Sequence, residues 1–406
     1  MMLVERHIVK KNKQIDELCF LSKNLYNYCN YLLRQEFFKN KTLPKEYNLT
    51  KQLASENQSD YRALPSQSSQ QVVKLLFKNW KSYFKLLQSF KKNPNKFNGK
   101  PRLPNYKHKV KGRNIVVFTD QQCKLKDGFI YFPKKVLKPQ KTNVNNLKQV
   151  RLVPQCGCYV IEIIYEKEIK HVTLNKNKYL GIDLGINNLV TMSDNSGCTQ
   201  PIIINGKIVK SINQFYNKKK AELQANLSGN QKTSRRIQHL TFTRNCKIND
   251  LLHKTSRFVV DYCVKHRIAN IIIGYNVSWK QNVDIGKRNN QKFCCIPHKT
   301  LINQIKYKAE LMGINLQLNE ESYTSKIDAL ACEPLKKQKK YLGRRIKRGL
   351  FKSSTKCLVN ADVNGSLNIM RKVIGDDFLG NLVNKSCVLQ PVRIYPNKES
   401  LRLIKC

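Results

Sequence analysis

The stretch "YLGIDLGINNLVTM" (179–192) decides how the chain is read. An apolar run leads into Asp183, and Gly185 permits a sharp turn into a second apolar run, which reads as two strands in a hairpin-like connection. This puts one carboxylate at the centre or end of a strand, facing a groove that water and a metal ion can reach. Two readings stay open at Asp183: an acid that begins a turn, or one that serves a ligand. Gly181 and Gly185 flank it and leave room for a bulky group such as a scissile phosphate.

Outward from this stretch, strands at 188–193 and 201–204 precede helical sequence from about 210 to 267. Then come a buried strand "NIIIGYN" (270–276), a helix over 298–312 and a strand "INLQL" (314–318). Alternation of this kind predicts an α/β domain. The upstream grammar differs. Residues 15–38 and Ser66 to Phe90 are amphipathic helices, the second with Val72, Leu75, Leu76, Trp80, Tyr83, Phe84, Leu87 and Phe90 on its inner stripe. A Pro- and Gly-bearing break follows at 91–107, then short strands at 114–118, 128–132, 150–153 and 159–166, suggesting a small barrel or sandwich.

The 406 residues carry 75 Lys plus Arg against 27 Asp plus Glu, a formal charge of +48. Self-repulsion of that size works against a compact state, so a polyanion is the natural partner. Aromatics interleave with the basic residues, as in "NWKSYFKLLQSFKKNPNKF", which suits base stacking as well as phosphate neutralisation. No apolar run approaches the roughly 18 residues a membrane span needs, so no membrane partner is expected, and the expected location is cytoplasmic, beside the nucleoid. The 14 cysteines include no C-x-x-C pair; Cys156 and Cys158 are two apart, and Cys294 and Cys295 adjacent. A zinc ribbon needs closely paired thiolates, so zinc is not expected.

In so basic a chain, "QLNEESYTSK" (317–326) is unusual for its adjacent Glu320 and Glu321. "CLVNADVNGSLNIMRKV" (357–373) supplies Asp362 just ahead of helical spacing, where it is either a helix N-cap or a ligand. Hard oxygen donors on separate elements suit Mg²⁺, and two-metal cleavage of a phosphodiester, with ions about 3.5–4 Å apart, needs a third acid. The strand at 270–276 looks suited to carry it, yet Gly274 stands there.

"GIDLGINNLVT", "ESYTSK" and "NADVNGSLNI", in that order, resemble the three signatures of the transposon-encoded TnpB (OrfB) family. The likeness extends to "VERHIVKKN", "CFLSKNLYNYCNY" and "IPHKTLINQIKYKAELMGI", and so over most of residues 1–373. The resemblance implies a multidomain α/β protein: a ribonuclease H-like RuvC nuclease domain plus an N-terminal oligonucleotide-binding-type β-barrel with a helical insertion. Mapped here, the barrel (wedge) takes 1–10 and 105–170, the helical recognition insertion 11–104, the nuclease domain 171–325 and 360–373, and a C-terminal tail 374–406. It also implies a guide RNA from the transposon end, a double-stranded DNA target beside a short flanking motif, and two Mg²⁺ ions held by Asp183, Glu321 and Asp362. Most members carry the second acid where Gly274 stands; some, with the related Fanzor proteins, carry a relocated glutamate before the Thr-Ser pair, a place that Glu321 fits.

Family members usually show two C-x-x-C pairs between "TSK" and the last acid. Here residues 326–359 keep Cys332 and Cys357 singly and carry a dense basic run that includes Arg344, Arg345, Lys347 and Arg348, read as a metal-free insert that holds nucleic acid by charge. Lys326, near Glu321, is expected at the scissile strand. Gln67, Gln70, Gln71 and Lys74, on the helix that begins at Ser66, are candidates for reading the flanking motif, since Gln pairs with adenine and Lys with guanine in the major groove. Two further functions stay open: a guided binder that no longer cuts, and a transposase, although no separate nucleophilic Tyr motif of the H-U-H kind is present. The sequence says nothing about oligomeric state.

Overall fold

The computed structural model describes every residue except 11, 134, 135, 171, 277–283, 285, 385, 386, 397–400 and 404–406. The chain divides into two units, Met1–Lys167 and Glu168–Cys406.

The first unit holds β1 (Met2–Val9), α1 (Lys13–Asn40), α2 (Glu46–Ser55), α3 (Ser59–Arg62), α4 (Ser66–Lys92), β2 (Val116–Thr119), β3 (Lys124–Lys126), β4 (Phe129–Tyr131), β5 (Gln140–Lys141), β6 (Leu147–Gln155) and β7 (Cys158–Glu166). Strands run β1-β7-β6-β2 in an antiparallel sheet, with β3-β4-β5 as a second, small one. The apolar stripes of α1 and α4 meet around Trp80, which is fully buried, tilts against Phe37 and Phe84, and donates its indole N–H to Asn30 at 3.1 Å. The break after α4 is not loose. Lys23, Asn27, Asn30 and Arg34, at helical spacing on α1, donate to the carbonyls of Lys109, Lys107 and Pro104. That ladder satisfies a stretch of backbone that no strand pairs.

The second unit holds β8 (Asn175–Asp183), β9 (Asn188–Asp194), β10 (Ile202–Asn205), α5 (Lys207–Ala225), α6 (Arg235–Lys265), β11 (Ile268–Gly274), α7 (Lys287–Cys294), α8 (His298–Glu310), β12 (Asn315–Asn319), β13 (Arg344–Lys347), β14 (Leu350–Lys352), β15 (Leu358–Asn360), α9 (Ala361–Ile374), α10 (Phe378–Asn384), β16 (Val392–Pro396) and β17 (Leu401–Leu403). The helical sequence after β10 thus forms two helices rather than one. The main sheet has the order β12-β11-β8-β9-β10-β16-β17. β8, β9 and β10 form an antiparallel meander; β11 joins β8 and β12 joins β11 in parallel. β16 pairs in parallel with β10, so part of the expected tail belongs to this sheet.

Side chains alternate across a strand, and that rule sorts the two faces. Leu180, Ile182, Ile271 and Ile273 pack with Val259 and Val260 of α6 and with Leu301 and Ile305 of α8. Ile272 packs with Val363, Leu367, Ile369 and Met370 of α9. Position 183 lies one residue beyond Ile182 and position 274 one beyond Ile273, and both therefore face α9. Since Ile273 pairs with Ile182, Gly274 stands level with Asp183 on the neighbouring strand.

Candidate active site

Asp183 ends β8, and its carboxylate rests against α9 at Gly365, where an added Cβ would come within 2.8 Å of Oδ2. The room at the flanking glycines is not ligand room, contrary to the expectation from sequence. A Cβ at Gly181 would meet Met370 and the Ser366 carbonyl at 2.5 Å, and one at Gly185 would meet the Asn188 carbonyl at 2.5 Å. These glycines permit close packing of helix and turn.

Asp362 sits in the first turn of α9 and is not the cap. Asn360 caps the helix, its side chain accepting from the N–H groups of Asp362 and Val363. The Asp362 carboxylate is thereby released from capping, and one oxygen accepts from Asn188 Nδ2 at 2.6 Å.

Glu321 follows β12 by two residues. Its backbone N–H donates to Asn276 Oδ1 at 2.9 Å, and its carbonyl accepts from the Thr324 N–H and hydroxyl. β12 stops at Asn319, so strand alternation does not govern the pair, yet the two glutamates diverge. Glu320 is exposed and accepts from the Ser322 hydroxyl. Glu321 turns inward: a Cβ at Gly274 would lie 2.5 Å from its Oε1 and 2.6 Å from its Cγ. The carboxylate occupies the space that a side chain on β11 beside Asp183 would take.

The electrostatics agree with this geometry. Burial pushes the Asp183 carboxyl well above its ordinary range, the negative charges of Asp362 and Glu321 push it further, and Arg345 partly opposes them. Burial raises Glu321 to about 7, with Lys372 pulling the other way. Crowded carboxylates of this kind favour protons unless a cation offsets their charge. Glu321 Oε1 is buried and, among the described residues, has no hydrogen-bond partner, an acceptor left open on the inner side of the cluster. Hard oxygen donors and an orphaned carboxylate oxygen fit a magnesium ion. Among the described residues, no three His, Cys, Asp or Glu side chains already close on one centre.

Buried amides hold the segment after Glu321, and sequence reasoning missed them. Asn368 donates to the Thr324 and Ile327 carbonyls, and Asn364 donates to Ile327 while accepting from the Ala329 N–H. Both are fully buried on α9. Their spacing of four along an apolar helix is the only signal the sequence offers.

Of the other candidates, Lys326 is exposed. Arg344, Arg345 and Lys347 line the exposed strand β13, and Arg348 the turn after it. β14 pairs with β15, and the Gly349 carbonyl accepts from the Ala361 N–H at 3.1 Å, which fixes this basic hairpin next to Asp362. The insert is knotted by buried acids: Asp328 accepts from Ser353 and Ser354, and Glu333 from the N–H groups of Asp328 and Leu342. Cys332 and Cys357 are free thiols. On α4 of the first unit, Gln70 and Lys74 are exposed and Gln71 half-buried, while Gln67 bonds Gln121 and Thr119. Among the described residues no helix is long and apolar enough to cross a membrane.

Residues 162–280 match the family described as "Probable transposase" (OrfB_IS605), and residues 298–369 match "Cas12f1-like, TNB domain". A curated relative, "Putative RNA-guided DNA endonuclease InsQ" of Escherichia coli (strain K12), is 26% identical over 337 residues, covering 75% of this chain and 74% of its own. A Cas12f1 chain solved by cryo-EM with sgRNA and target DNA aligns over 88% of this chain and 81% of its own, with a TM-score of 0.54 and 14% identity, a likeness of fold. The ordered motifs, the two family matches that follow them and the relative that runs beside three quarters of the chain all point the same way, to a likeness with the TnpB (OrfB) family.

Proposed function

We propose that this chain is an RNA-guided DNA endonuclease encoded by a transposable element, with Asp183, Glu321 and Asp362 as its metal-holding acids. The observation that carries the proposal is the carboxylate of Glu321 lying over Gly274, level with Asp183. Parallel neighbours stand about 4.8 Å apart, so a side chain that fills the space over Gly274 can work with Asp183. The acid missing from β11 is supplied from the turn after β12.

When bound, Mg²⁺ would lower the pKa of an attacking water and stabilise a leaving 3′ oxygen. Asp183, Glu321 and Asp362 would hold it, and the Arg345 side would offer a phosphate its positive charge. On this reading the β8–β11–α9 region is a ribonuclease H-like nuclease domain of the RuvC type. The first unit is an oligonucleotide-binding-type barrel with a helical insertion, in which Gln67, Gln70, Gln71 and Lys74 face the flanking motif. Guide pairing would supply the sequence choice, and the basic residues would supply backbone affinity. The name of the InsQ relative supports the RNA and DNA partners.

The test is cleavage of a guided target by purified protein carrying its copurified RNA. Asp183→Ala and Asp362→Ala abolish cutting and keep RNA binding, because the acids and the backbone contacts are different residues. Retained cutting in either variant removes the assignment. The glycine at 274 favours one alternative, a guided binder that no longer cuts; wild-type protein that binds its target and leaves it whole would establish that reading.

A further inference from the structure

Where the turn after β8 runs into β9, two adjacent asparagines, Asn187 in the turn and Asn188 opening β9, have separate duties. Asn187 is an anchor: its carbonyl accepts from the Gly206 N–H at 2.7 Å and its Oδ1 accepts from Lys210 Nζ at 2.8 Å. His298 Nε2 donates to the Gly185 carbonyl at 3.1 Å, which fixes the other side of the turn. The next residue, Asn188, is thus delivered from a backbone held at both ends.

Asn188 Nδ2 donates to Asp362 Oδ2 at 2.6 Å, and its Oδ1 faces Arg393 Nη1 at 3.5 Å. The two partners dictate which way the amide points. A carboxylate only accepts and a guanidinium only donates, so Nδ2 belongs on Asp362 and Oδ1 on Arg393. A cation behind the carbonyl also polarises the amide and strengthens the N–H on its far side. Arg393 comes from β16, the strand beside β10. No acid of the cluster touches Arg393 directly in this arrangement; its effect passes through Asn188.

We propose that Asn188 is a positioning residue for Asp362, and that Arg393 acts through it. The amide occupies one oxygen of the carboxylate and fixes its plane, leaving the other oxygen for an ion. Outer partners of this kind raise the fit of a metal ligand without touching the metal. The inference rests on Asp362 being a metal ligand, and the experiment separates the two ideas.

Protein with its copurified RNA is titrated with Mn²⁺ alone by calorimetry, and cleavage is followed against Mg²⁺ concentration. Asn188→Ala weakens Mn²⁺ binding and shifts the Mg²⁺ midpoint upward by about 10-fold or more. Target affinity measured without divalent ions stays as in wild type. The isosteric Asn188→Asp, which sets a second charge against Asp362, loses more than the alanine variant. Arg393→Ala has a smaller effect, and adding it to Asn188→Ala costs nothing further, the signature of one pathway. Thermal unfolding of each variant separates positioning from simple loss of fold. Wild-type Mn²⁺ affinity in Asn188→Ala overturns the proposal, and so does full additivity of Arg393→Ala. If Asp362→Ala itself cuts normally, it is the assignment of Asp362 that fails, and the proposal fails with it.

Discussion

At the scale of the residue, the decisive fact is steric. Gly274→Ala would drive a methyl into Glu321 Oε1 and Ile369 Cδ1, each 2.5 Å away. Overpacking of this kind costs about 1–3 kcal/mol, and it expels the carboxylate from its place. Gly274→Ala should therefore lower both the melting temperature and the cleavage rate, measured on the same preparation. Glu321→Gln keeps the shape and removes the charge. It should lower cleavage by more than the ~10–100-fold of an outer-shell change while leaving RNA binding intact; wild-type cutting by this variant would sink the relocation. Glu321 also carries a pH signature. Its folded pKa is raised from 4.5 to about 7, so between those values the folded state holds more protons than the unfolded one. Stability in chelator should then fall as pH rises through that window. Thermal melts at about pH 5 and pH 7.5 should show the drop shrinking in Glu321→Gln. The three acids are legible in the sequence as candidates. Glu321 as the stand-in for Gly274 is also offered by the sequence; what is not legible is the β8–β11–β12 register that brings the two together, because it is set by pairings between distant residues. Nor does the sequence tell Asn360 from Asp362 as the cap of α9, since both polar side chains lie at the start of the same helix.

At the scale of the element, α9 organises the site. It presents Gly365 to Asp183, carries Asp362 in its first turn, and uses Asn364 and Asn368 to tie down the segment that follows Glu321. Asn364→Ala takes the partner from the buried Ala329 N–H, while Asn368 keeps the Ile327 carbonyl, and should cost about 1–3 kcal/mol. Hydrogen exchange at 321–329 should quicken more than exchange in α1 of the first unit. The helical spacing of Leu367, Ile369, Met370 and Val373 made α9 predictable, whereas its buried amides break that pattern and look like surface positions until their partners are known. The basic insert is a second case. Asp328 and Glu333 bind backbone and hydroxyl donors inside it, with side chains almost wholly shielded from water. Asp328→Ala should loosen the β13–β14 hairpin, raising exchange at 344–352 and weakening nucleic-acid binding. The missing cysteine pairs set the expectation of an insert without a metal, but nothing in the sequence named the acids that knot it.

At the scale of the whole molecule, charge dominates. With a formal charge of +48, affinity for a polyanion should depend steeply on salt. If about ten phosphates are neutralised on duplex DNA, the logarithm of the binding constant falls against that of salt with a slope near −9. Filter binding across a salt series measures it, and a slope of only one or two would remove backbone contact as the source of affinity. Composition alone sets this expectation, and the change in grammar near residue 170 lies close to where the chain divides into two units, after Lys167. The parallel strand β16 was not foreseen, because its partner β10 lies almost the whole second unit away. That separation has a cost in time. Pairings between such distant segments form slowly and leave sheet edges bare in the interval. The edge of β10 stays uncovered throughout synthesis of everything between the two strands, and Arg393 reaches Asn188 only once β16 has docked. A nascent copy therefore passes through a stage at which the hairpin carrying Asp183 can exist while its last supporting strand does not, and chaperone capture or misassembly should concentrate at that stage.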